Sequence, residues 1–168
     1  ILSKQLPSLA TLYSRNFSIF SAFTRSHDTI FEEASQLLKS PEQAGIQEYK
    51  RIFESLTSSK DPAKLTEKEA TIILQILFKL GKAYHHQMNH TEALKYYLEA
   101  LSIADKSKLK DSVDIALINN GIGTAYLSQD KLDKAEESFN KAKKIFAGPA
   151  IDDELKYPSI VNICMQAI

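Results

Sequence analysis

Leu80-Gly81-Lys82-Ala83-Tyr84 is followed by Ala93, Tyr97 and Ala100. Ile122-Gly123-Thr124-Ala125-Tyr126 is followed by Ala135, Phe139 and Ala142. The two stretches lie 42 residues apart, and every internal spacing is the same. Self-similarity at a fixed period of this size marks a stacked repeat, in which one unit cannot bury its apolar face alone. Glycine and alanine at the repeated small positions let two backbones approach, and the aromatic residues fill the space above them.

Outward from these stretches the pattern is helical, in pairs. Thr66-Glu67-Lys68-Glu69 reads as a capping box. Behind it Ile72, Ile73, Ile76, Leu77, Leu80 and Tyr84 recur at helical spacing. A polar break at Gln87-Met88-Asn89-His90 follows. Thr91 is then expected to cap a second helix with Ala93, Leu94, Tyr97, Leu98, Leu101 and Ile103 on its apolar side. A third helix is predicted from Asp111 or Ser112 through Ile115, Ile118, Ile122 and Tyr126, up to a break at Gln129-Asp130. A fourth carries Leu132, Ala135, Phe139, Ala142 and Ile145 and stops before Gly148-Pro149. Residues 154–168, with Ile160, Ile163 and Cys164, are predicted as a closing helix. Upstream, 28–38 and 44–56 form a weaker pair about Ser40-Pro41, set apart by the loop 58–62. The expected organisation is an extension (1–27), a degenerate helical pair (28–58) and repeats with a capping helix (66–168). With 5 Gly and 5 Pro in 168 residues, the chain has too few backbone punctuators for an all-β fold.

The repeated Gly-x-x-Tyr, Ala, aromatic, Ala pattern resembles the tetratricopeptide repeat (TPR) family. The family's usual period is about 34 residues. The eight extra residues here amount to about two helical turns, and with Asn119-Asn120 in a first helix they resemble the long-helix repeats of kinesin light chains. Phe53-Glu54-Ser55-Leu56 echoes Leu98-Glu99-Ala100-Leu101. Departures are Leu77 and Asn119 at the family's tryptophan position, Met88 and Asp130 at its turn glycine, and Asp105 and Ala147 at its closing proline. The resemblance implies an all-α fold, a right-handed superhelix of antiparallel helix pairs. It also implies a concave surface lined by the first helix of each pair. By position that surface holds Gln75, Phe78, Lys82 and His85, then Leu117, Asn120, Thr124 and Leu127, then Ser159 and Asn162. The family's clamp for C-terminal carboxylates needs several cations and amides, and only Lys82 and Asn120 match it.

Charge is unevenly placed. Residues 1–27 hold Lys4, Arg15 and Arg25, six serines and no acid, whereas the rest carries 18 basic and 21 acidic residues. Leu2, Leu6, Leu9, Tyr13, Phe17 and Phe20 would form one stripe on a helix begun at Leu6 or Pro7. Basic, Ser-rich and acid-free is the composition of a mitochondrial transit peptide. Arg15-Asn16-Phe17-Ser18 resembles a site of the mitochondrial processing peptidase. A chain that begins with Ile is expected to have lost an upstream piece or to retain a presequence. Leu9, Tyr13, Phe17, Phe20 and Phe23 are the expected anchor. Burying five such side chains yields on the order of 10 kcal/mol. Ordering about 20 residues costs at least as much, so the segment is expected to need a partner subunit or a membrane surface.

Other chemistry finds little support. A net charge of zero and a pI near 7.1 argue against a dedicated nucleic-acid binder. One cysteine excludes an intramolecular disulfide and a Cys-rich zinc site. His85, His86 and His90 straddle a helix break and lack further ligands at usable spacing. Gly121-Ile122-Gly123-Thr124 sits within a helix with no preceding strand, so it is no phosphate loop. No enzyme, cofactor, metal or small-molecule substrate is expected. The expected function is a protein–protein interaction scaffold, an accessory subunit of a mitochondrial assembly, inner-membrane-associated or in the matrix. The alternative is a transient peptide-binding adaptor or co-chaperone, cytoplasmic or mitochondrial.

Overall fold

The computed structural model describes residues 26–39, 45–109 and 112–148. The expectations for the amphipathic segment up to residue 25 and for the closing helix at 154–168 lie outside the described residues. Among the described residues six helices follow one another: α1 (His27–Lys39), α2 (Ile46–Ser59), α3 (Glu67–His86), α4 (His90–Lys106), α5 (Val113–Leu127) and α6 (Leu132–Phe146). A 3-10 turn, Pro62–Lys64, precedes α3. No strand occurs among the described residues.

Local chemistry fixes where each helix starts. The Ser26 hydroxyl accepts from Thr29 N at 3.3 Å, so Ser26 caps α1 and His27 belongs to α1 and not to the extension. The Thr66–Glu69 capping box is present in full. Ser112 caps α5, its hydroxyl accepting from Ile115 N at 3.3 Å. For α4 the cap is Asn89 and not Thr91: the Asn89 amide oxygen accepts from Glu92 N at 3.2 Å, and Thr91 lies within the first turn. The acceptor two residues earlier wins because the preceding turn already leaves Asn89 non-helical.

The ends of α3, α4 and α5 share one device. Met88, Lys108 and Asp130 adopt left-handed backbone, with φ of 61°, 57° and 57°. The residue after each reverts and donates five residues back: Asn89 N to Tyr84 O, Leu109 N to Ala104 O, Lys131 N to Tyr126 O, all 2.9–3.0 Å. This is the Schellman closure. Met88 and Asp130 stand 42 residues apart, so the two hairpin turns, α3–α4 and α5–α6, repeat in backbone as well as in sequence. Met88 is 76% exposed and packs little, so its strain is uncompensated. Met88→Gly is therefore expected to stabilise the protein by about 1 kcal/mol in urea unfolding, the relief of left-handed strain exceeding the extra freedom of glycine in the unfolded chain. A destabilised variant would contradict this account of the turn.

One apolar core runs from α1 to α5, through Phe31, Ile52, Leu56, Ile73, Leu77, Tyr97, Ile118 and Ile122. Small residues hold the hairpins close, as the spacing predicts: Ala93, Ala100 and Ala142 have no exposed surface and Ala135 only 2%. The Tyr97 ring lies against Gly81, and the Phe139 ring against Gly123. α6 joins α5 through two small separate clusters, Ala116–Ala142–Phe146 and Ala135–Phe139. The degenerate pair is a real part of the body, since α1 packs on α2 and α3, and α2 packs on α3.

Candidate functional site

α3 and α5 carry the expected partner-facing residues at identical spacing: Gln75, Phe78, Lys82 and His85 on one, Leu117, Asn120, Thr124 and Leu127 on the other. The residues that face the core are a different set. On α3, residues Ala70, Ile73, Leu74, Ile76, Leu77, Leu80 and Gly81 are buried. On α5 the buried set is Ile115, Ala116, Ile118, Asn119, Ile122, Gly123 and Ala125. None of the eight row residues is fully buried; Lys82 is exposed and the rest are half-buried.

Two contacts tie the row together across helices. Gln75 Nε2 donates to the Asp114 carboxylate at 3.2 and 3.4 Å, bridging α3 to the first turn of α5. Burial pushes the Asp114 carboxyl above its ordinary value, and the Gln75 amide pulls it part of the way back. Phe78 sits 6.0 Å from the Tyr97 ring, centroid to centroid. Along α5 the Thr124 hydroxyl donates to Asn120 O at 3.0 Å, so it is occupied within its own helix. Leu117 and Leu127 lean on α6, the first on the cluster that holds Ala142 and Phe146, the second on Ala135 and Phe139. Ser159 and Asn162 lie outside the described residues, as do Leu9, Tyr13, Phe17, Phe20 and Phe23.

His85 closes the row at the α3–α4 turn. Its Nδ1 lies 3.1 Å from Nδ1 of His90, so one ring donates and the other accepts. Burial lowers the His85 pKa, and the rings of His90 and His86 lower it further. His86 ends α3 and is exposed, and His90 begins α4, so the break separates them as the sequence implies. Among the described residues no three His, Cys, Asp or Glu side chains gather at a metal-sized site. No described helix is long and apolar enough to cross a membrane.

Sequence reasoning missed Asp114 and Gly121. Asp114 follows the Ser112 cap in the first helical turn, where an acid reads as a dipole partner, and nothing local foretells Gln75. Gly121 was read only as a rejected phosphate loop. In the structure it receives the far side of the Tyr97 ring, and a Cβ there would meet that ring at 2.7 Å.

No curated protein and no solved structure matches the chain. Residues 72–147, which run from within α3 to the end of α6, match the family model described as tetratricopeptide repeat, and that match supports a TPR family for this span and, with it, a protein–protein interaction scaffold.

Proposed function

We propose that the chain works as a structural accessory subunit of a mitochondrial assembly, with long-helix repeats like those of kinesin light chains. Its TPR hairpins hold partner subunits on the α3–α5 row, and residues 1–25 anchor it to a neighbour or to the inner membrane surface. The observation that carries the scaffold role is the row itself: eight residues in matching register on two helices, all left half-buried or exposed beside the buried residues that face the core. Phe78 and Leu117 bring apolar area, and Lys82 brings one cation. The mitochondrial part rests on the basic, acid-free composition of the first 27 residues.

The test is co-purification from salt-washed mitochondria. Stoichiometric recovery with fixed partners is expected, whereas substoichiometric capture of many segments would favour the adaptor reading. Deleting residues 1–25 is the right truncation, because Ser26 caps α1. It should leave the helices of residues 26–148 intact and abolish co-assembly; full-stoichiometry recovery of the truncated chain would sink the anchoring role. Lys82→Glu should weaken partner capture roughly tenfold while shifting stability by only about 0.5 kcal/mol, as surface changes do. Unchanged capture would move the working surface elsewhere.

A further inference from the structure

Residues 42 apart hold the same register position in the two hairpins, so each hairpin shows what the other lacks. Leu77 on α3 is fully buried, and its counterpart on α5 is Asn119. Tyr96 on α4 is buried, and its counterpart on α6 is Ser138. In the first hairpin Tyr96 stacks on Tyr84 with ring centroids 5.4 Å apart and planes 10° from parallel. Tyr126 is the counterpart of Tyr84, and Ser138 brings no ring to stack on it.

Two large side chains are thus replaced by two small polar ones, and a cleft of about 220 Å³ opens there. It lies between α4, α5 and α6, lined by Leu98, Ile122, Tyr126, Asn119 and Ser138 among others. This is where the core is interrupted: along α6, Ser138 falls between Ala135 and Ala142, which belong to separate apolar clusters. Leu98, expected on an apolar helix face, is instead 48% exposed at this cleft. The polar groups inside are used within their own helices, Asn119 Nδ2 donating to Ile115 O and Ser138 Oγ to Lys134 O, both at 2.8 Å. The remaining walls are aliphatic and aromatic. The volume suits one large side chain and is below the roughly 300–1,000 Å³ of small-molecule pockets. The rim holds Lys134, Lys141 and Glu137. Lys141 pairs with Glu137 at 2.7 Å, and Lys134 Nζ stands 5.7 Å from the centre of the Tyr126 ring, so the rim keeps one net positive charge.

We propose that this cleft receives one aromatic side chain of a partner polypeptide, stacked on Tyr126 as Tyr96 stacks on Tyr84, with an acidic residue of the same segment beside Lys134. The surface shares no residue with the α3–α5 row, so the two can fail independently. The chain's own aromatic-rich residues 1–27 are a poorer match, because they hold no acid.

The protein contains no tryptophan, so emission from a tryptophan peptide reports on the peptide alone. The full chain is titrated into acetyl-Ala-Asp-Trp-Ala-amide, and separately into the same peptide with Lys for Asp. A saturable blue shift is expected, with the Lys peptide roughly threefold or more weaker at low salt. Asn119→Leu with Ser138→Tyr rebuilds the packing of the first hairpin; it should abolish the shift and raise the unfolding midpoint. Leu98→Asp alters a cleft-lining residue that is 48% exposed, and should weaken binding roughly fivefold with the midpoint little changed. No saturable shift up to millimolar protein, or a shift that survives in both variants, overturns the proposal. So does a chain lacking residues 1–25 that binds the probe far more tightly than the full chain, which would make the N-terminal segment the occupant.

Discussion

Tyr97→Ala is expected to destabilise the helical body by about 3–5 kcal/mol, the usual cost of removing a large buried aromatic side chain. Tyr97 is 3% exposed, and burial pushes its hydroxyl well above the ordinary phenol range. Its ring is the one side chain of α4 seated against glycines on both flanking helices, Gly81 on α3 and Gly121 on α5. Phe78 closes the space at 6.0 Å. A cavity at this point cannot collapse easily, because the glycines have no side chains to move into it. The loss also falls on the junction between repeats, where a solenoid keeps its cooperativity. Urea unfolding followed by circular dichroism should therefore show a lower midpoint and a shallower transition. Phe139→Ala is the contrasting variant. Phe139 is equally buried but touches Gly123 within the α5–α6 hairpin and belongs to a small separate cluster, so α1–α4 should keep their midpoint. Tyr97→Phe should change stability by less than about 1 kcal/mol. A loss from Tyr97→Ala below about 1 kcal/mol would mean that the two repeats are not coupled through this ring.

How much of this the chain announces depends on whether the cause is local. The capping box at Thr66–Glu69, the cap at Ser112 and the stop before Gly148 are short-range devices, and they stand where the sequence puts them. The small positions Gly81, Ala93, Ala100, Gly123, Ala135 and Ala142 were legible because two copies could be laid side by side. The cap of α4 was misread by two residues, since Asn89 and Thr91 are both good acceptors and only the Schellman turn at Met88 decides between them. Leu98 was misread for a different reason: helical spacing gives the apolar side, but not whether a neighbour arrives to cover it. The Gln75–Asp114 bridge and the Gly121–Tyr97 contact span 39 and 24 residues, beyond any periodicity argument. The eight row residues could be named from register, yet which of them lean on α6 depends on Phe139 and Phe146, whose placement needs the fold.

Glu69 joins the N-terminal pair to the repeats, and its loss should be felt first at α1. The carboxylate is 16% exposed and accepts from Lys60 Nζ at 2.8 and 3.0 Å, from Thr66 N at 2.6 Å, from Thr66 Oγ1 at 2.8 Å and from His27 Nε2 at 2.8 Å. An ionised carboxylate only accepts, so His27 Nε2 carries the proton in this bond. Burial alone would push the Glu69 carboxyl up; the bonds from Lys60, Thr66 and His27 outweigh it and hold the group down at about 2. A folded-state value below that of the unfolded chain, about 4.3, means that this contribution is complete above the unfolded value. It is lost as pH falls from there towards 2. Glu69→Gln removes the charge and turns an amide donor towards Lys60 and Thr66. It should cost about 1–3 kcal/mol at pH 7, and the gap to the unaltered protein should close as both are taken down towards pH 2, the floor that the Glu69 value sets. Hydrogen exchange gives the spatial readout. Amides of α1 should exchange faster in Glu69→Gln while α5 and α6 keep their protection, because His27 begins α1 and Glu69 is its bond to α3. In the proposed assembly the anchoring residues 1–25 lead directly into Ser26 and His27, so the variant should also weaken co-purification with partners while leaving binding of the tryptophan probe unchanged. Uniform loss of protection across all helices would instead make Glu69 a general stability element, with no special hold on the point where the anchor meets the repeats.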